Sequence, residues 1–298
     1  MSTETDASST SDKPPSCLLQ AVPPQEDESA AARSARVSAR PADCISKEQW
    51  NDWRWQMRHR IRSVEQLLAF FPALRAAEIA HVAAKFPLAI TPYYASLIEW
   101  PDDSDPIFRM AVPQVQELDN PEFLQDDPLE ESEDMPVPGL VHRYPDRALL
   151  IVTTTCSTYC RHCTRKRVAG TREVSISARR LRQAVAYLAA HPEIHDVIVS
   201  GGDPFTMATD ALERVLAALR EVPSIDIIRV GTRTLVAMPQ RVNDELVQLL
   251  RAQPQRVRPQ ITIGSFGIIP IPALQHEILC RAGTWPAAGH QQQQHDPA

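Results

Sequence analysis

Lysine is scarce in this chain: Lys13, Lys47, Lys85 and Lys166 are the only four, and arginine supplies the rest of its 31 basic residues. Chemistry that runs through a lysine amine therefore has few candidates, and none after residue 166. Glycine is low at 9 and proline high at 26, which confines left-handed turns to a few places and favours extended connections elsewhere. No run of ~20 apolar residues is present, so no transmembrane helix is expected. The first residues, MSTETDASSTSDKPPS, are polar and lack the apolar segment of a secretory leader. A reducing cytoplasm is the expected location, where clustered cysteines point to metal rather than to disulfides. A net charge of −6 argues against nucleic acid or an anionic membrane as partner. The 43% hydrophobic content is enough for a sizeable core in a chain that acts on small molecules.

Four segments are expected. Residues 1–45 are polar, proline-rich and aperiodic, and read as a disordered extension. Cys17 and Cys44 lie in it without ligand spacing. Residues 46–140 read as an N-terminal helical region followed by an acidic, proline-rich connection. Trp50, Trp53 and Trp55 suit a helix anchored on a core, and Leu74, Ile79 and Val82 lie roughly on one face of another. The run Asp126, Asp127, Glu130, Glu131, Glu133 and Asp134 reads as a solvated loop. Residues 141–257 form a β/α core, and 258–298 read as an atypical, poorly ordered tail.

The core shows its period plainly. Arg147–Thr154 is an almost continuous apolar run, suited to a strand buried on both faces. A helix follows from an N-cap at Ser177, with Leu181, Ala184, Val185 and Leu188 on one stripe. Strands at Val197–Val199 and Ile227–Val230 alternate with helices carrying Leu212, Val215, Leu216 and Leu219, then Leu246, Leu249 and Leu250. Such a series predicts parallel strands with right-handed crossovers, in a doubly wound sheet or a β/α barrel. In both, the binding face lies at the C-terminal strand ends. Three polar motifs fall there: the cysteine cluster, Gly201-Gly202-Asp203-Pro204 and Gly231-Thr-Arg-Thr234.

Cys156, Cys160 and Cys163 have the spacing C-x3-C-x2-C. Three thiolates on one tight loop suit an iron–sulfur cluster, with zinc as the alternative and His162 as an arguable fourth ligand. Three ligands on a four-iron cluster leave one iron open. Arg161, Arg165, Lys166 and Arg167 place positive charge around the loop, fit to offset thiolates or to bind a carboxylate or phosphate.

That spacing after a first core strand resembles the radical S-adenosylmethionine (SAM) superfamily. The run from His142 to Arg147, the run Cys160-Arg-His-Cys-Thr-Arg-Lys-Arg167, VSGGDPF and GTRTLVAMPQR further resemble the lysine 2,3-aminomutase family, as do WNDWRWQ and TPYYASLI. The resemblance runs from about residue 47 to about residue 256. It implies an α/β fold, a partial (β/α) barrel of the radical SAM type behind an N-terminal helical region. It also implies a [4Fe–4S] cluster on the three cysteines, and SAM held by Gly201, Gly202, Asp203 and Pro204, with Asp203 facing an ammonium and His162 meeting the adenine. Pyridoxal phosphate (PLP) is the third implied cofactor, its phosphate on Arg143, Tyr144 and Arg147. Arg165 matches the residue that grips the substrate carboxylate. The implied reaction is migration of an amino group between adjacent carbons of an amino acid, lysine first, through a 5′-deoxyadenosyl radical. Flavodoxin or ferredoxin is the implied reductant, and a homo-oligomer the implied assembly.

The family's PLP lysine has no counterpart here, and the texture changes near residue 257, where a frameshift or truncation is expected. The alternatives are an iron–sulfur and SAM-binding remnant, and a related aminomutase acting on glutamate or supplying β-lysine for translation-factor modification.

Overall fold

The computed structural model describes residues 45–119, 127–166 and 169–252, and the backbone of 257–261. The expected N-terminal extension as far as residue 44, Cys17, Cys44, Asp126, Arg167, Cys280 and the tail beyond 261 lie outside the described residues. Two compact units divide the chain, and the division falls inside the cysteine loop. One unit holds the N-terminal helices together with Ser157–Lys166; the other holds the sheet, including Cys156.

The helical unit is built from short, well-capped helices: α1 (Lys47–Asn51), α2 (Trp53–Arg58), α3 (Val64–Phe70), α4 (Ala76–Lys85), α5 (Pro92–Ala95) and α6 (Pro106–Ala111). Ser46 with Gln49, and Ser63 with Gln66, form capping boxes that start α1 and α3. Trp53 and Trp55 are buried, as the anchoring reading required. The acidic, proline-rich connection contributes to the core from its start. Asp105 is buried and caps α6, accepting from the backbone N–H groups of Ile107 at 2.8 Å and Phe108 at 2.9 Å. Helix α6 then buries Ile107, Phe108 and Met110, and a 3₁₀ turn (Val115–Leu118) follows it.

The second unit is a five-stranded sheet in the order β1 (Leu140–Tyr144), β2 (Arg147–Thr153), β3 (Asp196–Gly201), β4 (Ile227–Thr232), β5 (Val257–Ile261). Strand β1 is antiparallel to β2, and all later pairings are parallel. Each parallel strand adds beside its predecessor, with no reversal of order. A doubly wound sheet has such a reversal; the winding of a β/α barrel does not, so the partial barrel is the architecture that fits. Strand β5 crosses the boundary expected at 257.

Helices α7 (Ala178–Ala190), α8 (Thr209–Arg220) and α10 (Asp244–Arg251) follow β2, β3 and β4, with a short α9 (Thr234–Ala237) between β4 and α10. Of the predicted stripes, Leu188, Leu212, Leu216 and Leu246 are fully inaccessible and pack with Leu150 and Val199, while Leu181, Val185, Leu249 and Leu250 are partly buried against the same core. Ser177 caps α7 as predicted, accepting from the Arg180 N–H at 3.3 Å. Ser177→Ala is expected to cost about 1 kcal/mol, a shift of roughly 2–4 °C in the thermal midpoint, read by circular dichroism. No helix among the described residues is long and apolar enough to cross a membrane.

Candidate active site

Within the sheet unit, the loops after β2, β3 and β4 are tied to one another by backbone and by one carboxylate. Gly201 has φ +113°, a conformation that only glycine adopts without strain. A Cβ on Gly201 would stand 2.4 Å from the Thr153 carbonyl oxygen, and one on Gly202 would stand 2.3 Å from that of Thr155. The two glycines thus let the loop after β3 press against the chain leading into Cys156. The Gly202 N–H donates to the Thr153 carbonyl at 2.6 Å, and the Asp203 N–H to that of Thr155 at 2.8 Å.

Asp203 joins the third loop. Its carboxylate accepts from the Phe205 N–H (3.0 Å), the Thr232 hydroxyl (2.8 Å), the Arg233 N–H (2.7 Å) and the Thr234 N–H (2.8 Å). The side chain is buried, and burial pushes its carboxyl above the usual carboxylate range, against the downward pull of those hydrogen bonds. This corrects the expected pairing of Asp203 with a ligand ammonium: both oxygens are already engaged by the protein. Pro204 is likewise buried, in a 3₁₀ turn that Asp203 caps. Gly201 and Gly202 remain half-buried at the rim.

Sequence reasoning gave Arg241 no role, yet it is fully buried. Its Nε donates to the Phe205 carbonyl at 2.8 Å, and its Nη2 to the Thr209 hydroxyl at 3.0 Å and the Met207 carbonyl at 3.3 Å. It braces the same loop from below. Only its place in GTRTLVAMPQR hinted at this, because isolated arginines otherwise read as surface.

Cys156, Cys160 and Cys163 are half-buried and not disulfide-bonded. Among the described residues, no three His, Cys, Asp or Glu side chains are drawn together closely enough to hold a metal ion. The cluster reading therefore stands on the donor set and its spacing: three soft thiols within eight residues suit iron–sulfur coordination. His162 is exposed and Arg165 half-buried. Arg161 and Lys166 were expected to offer charge to a ligand. Both are instead paired with Glu117, at 2.8 Å and 3.3 Å.

The residues expected to hold a phosphate lie together. Arg143 and Tyr144 end β1, and Arg147 opens β2, so all three sit at the hairpin end of the sheet. The six steps of β2 put about 20 Å between that end and the C-terminal end of the strand. Arg147 pairs with Asp196 at 2.9 Å, and Arg229 joins the same carboxylate. Arg143 pairs with Asp134 at 3.9 Å and donates to the Leu129 carbonyl. Tyr144 is 57% exposed. These three groups lie together at that end of the sheet, away from the C-terminal strand ends.

The radical SAM superfamily model matches residues 150–268, from within β2 past the end of the described sheet. Over those residues the chain is similar to radical SAM domains. Over 209 residues, 70% of its length, it is 46% identical to a protein named L-lysine 2,3-aminomutase from Clostridium subterminale, of which it covers 50%. It is 41% identical, over 70% of its length and 44% of the relative, to the protein of that name from Bacillus subtilis. It is 40% identical, over 69% of its length and 49% of the relative, to a Glutamate 2,3-aminomutase from Clostridioides difficile. The chain thus spans about half the length of the curated relatives it matches. The resemblance to lysine 2,3-aminomutases read from the motifs is borne out over that span. Proteins of the radical SAM superfamily are those that use SAM and a [4Fe–4S] cluster, so the match points to that pair of cofactors.

Proposed function

We propose that this chain forms the SAM-cleaving core of an amino-acid 2,3-aminomutase, with lysine as the favoured substrate and glutamate as the second. The observation that carries this is the three-cysteine loop at the C-terminal end of β2, inside the radical SAM match, in a sequence 46% identical to an L-lysine 2,3-aminomutase. Cys156, Cys160 and Cys163 would hold the cluster, and the open iron together with the rim at Gly201 and Gly202 would receive SAM. When bound there, SAM and the reduced cluster supply a 5′-deoxyadenosyl radical. A small reductant protein of the flavodoxin or ferredoxin kind would deliver the electron. His162, exposed between two of the cysteines, would meet the adenine, and Arg165 would hold the substrate carboxylate.

PLP belongs to the family reading, with its phosphate falling to Arg143, Tyr144 and Arg147, but three basic groups that could serve it are held by acidic partners of the protein. Arg143 and Arg147 are engaged elsewhere. Lys166 is held by Glu117 and lies 4.1 Å over the Phe86 ring. These observations favour a second reading, a core that binds cluster and SAM without the amino migration.

Anaerobic reconstitution with iron and sulfide, then addition of SAM and a strong reductant, tests the first step. We expect 5′-deoxyadenosine from the parent chain and none from Cys160→Ala. No 5′-deoxyadenosine from a cluster-loaded parent would overturn the proposal. Adding PLP with lysine or glutamate separates the two readings: β-amino acid product supports the aminomutase, and 5′-deoxyadenosine without it supports the SAM-cleaving core alone.

A further inference from the structure

We propose that Glu117 is a positioning residue for the cluster cysteines: it locks the segment carrying Cys160 and Cys163 onto the N-terminal helices. The proposal rests on the cluster reading above, but concerns a residue outside the matched radical SAM region, 150–268.

Glu117 lies in the 3₁₀ turn Val115–Leu118, within the helical unit. Its carboxylate takes the Arg161 guanidinium in a two-point fork, Oε1 accepting from Nε at 2.9 Å and Oε2 from Nη2 at 2.8 Å. Both side chains are largely excluded from water, with 6% of Arg161 and 11% of Glu117 exposed. The remaining arm of Arg161 donates to the Pro87 carbonyl at 2.9 Å. Lys166 closes the other end of the segment, donating to the same carboxylate at 3.3 Å.

The backbone is pinned beside these charges. The Tyr159 N–H donates to Ala89 O at 3.0 Å, and the Arg161 N–H to Met110 O at 2.9 Å. Cys160 lies between those two anchors. Cys163 is fixed to it by a turn, its N–H donating to Cys160 O at 3.1 Å, and Lys166 N–H donates to Cys163 O at 3.2 Å. One carboxylate therefore secures the side chains that flank both thiols. Without it, Arg161 is a buried cation with no counter-charge, and the cheapest relief is to swing out and carry the loop with it. Three thiolates can share a cluster only if their loop is held, which is the work of groups one shell beyond the ligands.

The test is Glu117→Gln in the full chain, reconstituted anaerobically with iron and sulfide. Iron per chain and the rate of iron loss to a chelator are the readouts. The glutamine keeps the shape but accepts from one arm of the fork only. We expect the chelator to strip iron roughly 10-fold faster than from the parent. Ser177→Ala, a destabilising change in the other unit, should leave that rate unaltered, which separates positioning from general stability. Should Glu117→Gln not fold, Arg161→Lys carries the same test, since it keeps the charge and loses the fork. Stripping rates for these variants within about twofold of the parent's would overturn the proposal. A parent chain that takes up no iron would fail before any substitution, and would overturn the cluster reading as well.

Discussion

Asp203→Asn is expected to lower the stability of the folded chain by about 2–5 kcal/mol, in the absence of any ligand. One carboxylate oxygen accepts from the Phe205 N–H and the Thr232 hydroxyl, the other from the N–H groups of Arg233 and Thr234. An amide replaces one of those acceptors with a donor. If its nitrogen faces Arg233 and Thr234, the Arg233 N–H is orphaned, while the Thr234 N–H keeps only its bond to the Thr232 hydroxyl at 3.0 Å. If it faces Phe205 and Thr232, the hydroxyl can turn and accept, but the Phe205 N–H is still left without a partner. Every arrangement therefore strands at least one buried donor, and the charge that strengthened the other bonds is gone. Denaturation followed by circular dichroism should show a midpoint lower by about 4 °C or more. The alternative role, a carboxylate offered to the ammonium of SAM, makes a different forecast. It expects an unaltered midpoint in the free chain and a loss of SAM binding only, and that result would sink the bracing role.

The same residue shows how far sequence reasoning reaches. Gly201-Gly202-Asp203-Pro204 was legible as a site because it follows a strand, and the structure does place it at the C-terminal rim. What it touches was not legible. Asp203 bonds residues about thirty positions away, in the loop after β4, and no local pattern announces that pairing. Helix α7 is the opposite case: its cap at Ser177 and its apolar stripe are both local, and both appear as read. Strand β1 escaped notice because it is a five-residue edge strand whose exposed end, Arg143 and Tyr144, looks like loop. Glu117 was hidden by composition. It sits in an acidic, proline-punctuated connection, while its partner Arg161 lies 44 residues on, inside a motif where the arginine read as charge for the thiolates or for a ligand.

Gly202→Ala should be severely damaging, and Gly231→Ala is its control. At Gly202 the new Cβ would stand 2.3 Å from the Thr155 carbonyl oxygen and 2.8 Å from the Thr155 nitrogen. Both obstacles are backbone, on the residue next to Cys156, so nothing flexible can move aside. The loop after β3 must lift away, which breaks the hydrogen bonds from Gly202 to Thr153 and from Asp203 to Thr155. At Gly231 the nearest atom to a Cβ is the Ser200 hydroxyl at 3.4 Å, an ordinary contact. We expect Gly202→Ala to cost about 3 kcal/mol or more, and Gly231→Ala to change stability by less than ~1 kcal/mol. The two should diverge again after reconstitution. Gly231→Ala should keep its iron, whereas Gly202→Ala should lose it faster than the parent, because the chain leading into Cys156 loses the loop that is hydrogen-bonded to it. Equal midpoints for the two variants would mean that the loop after β3 is free to shift. The close approach of Gly202 to Thr155 would then have no part in setting where the first cysteine stands.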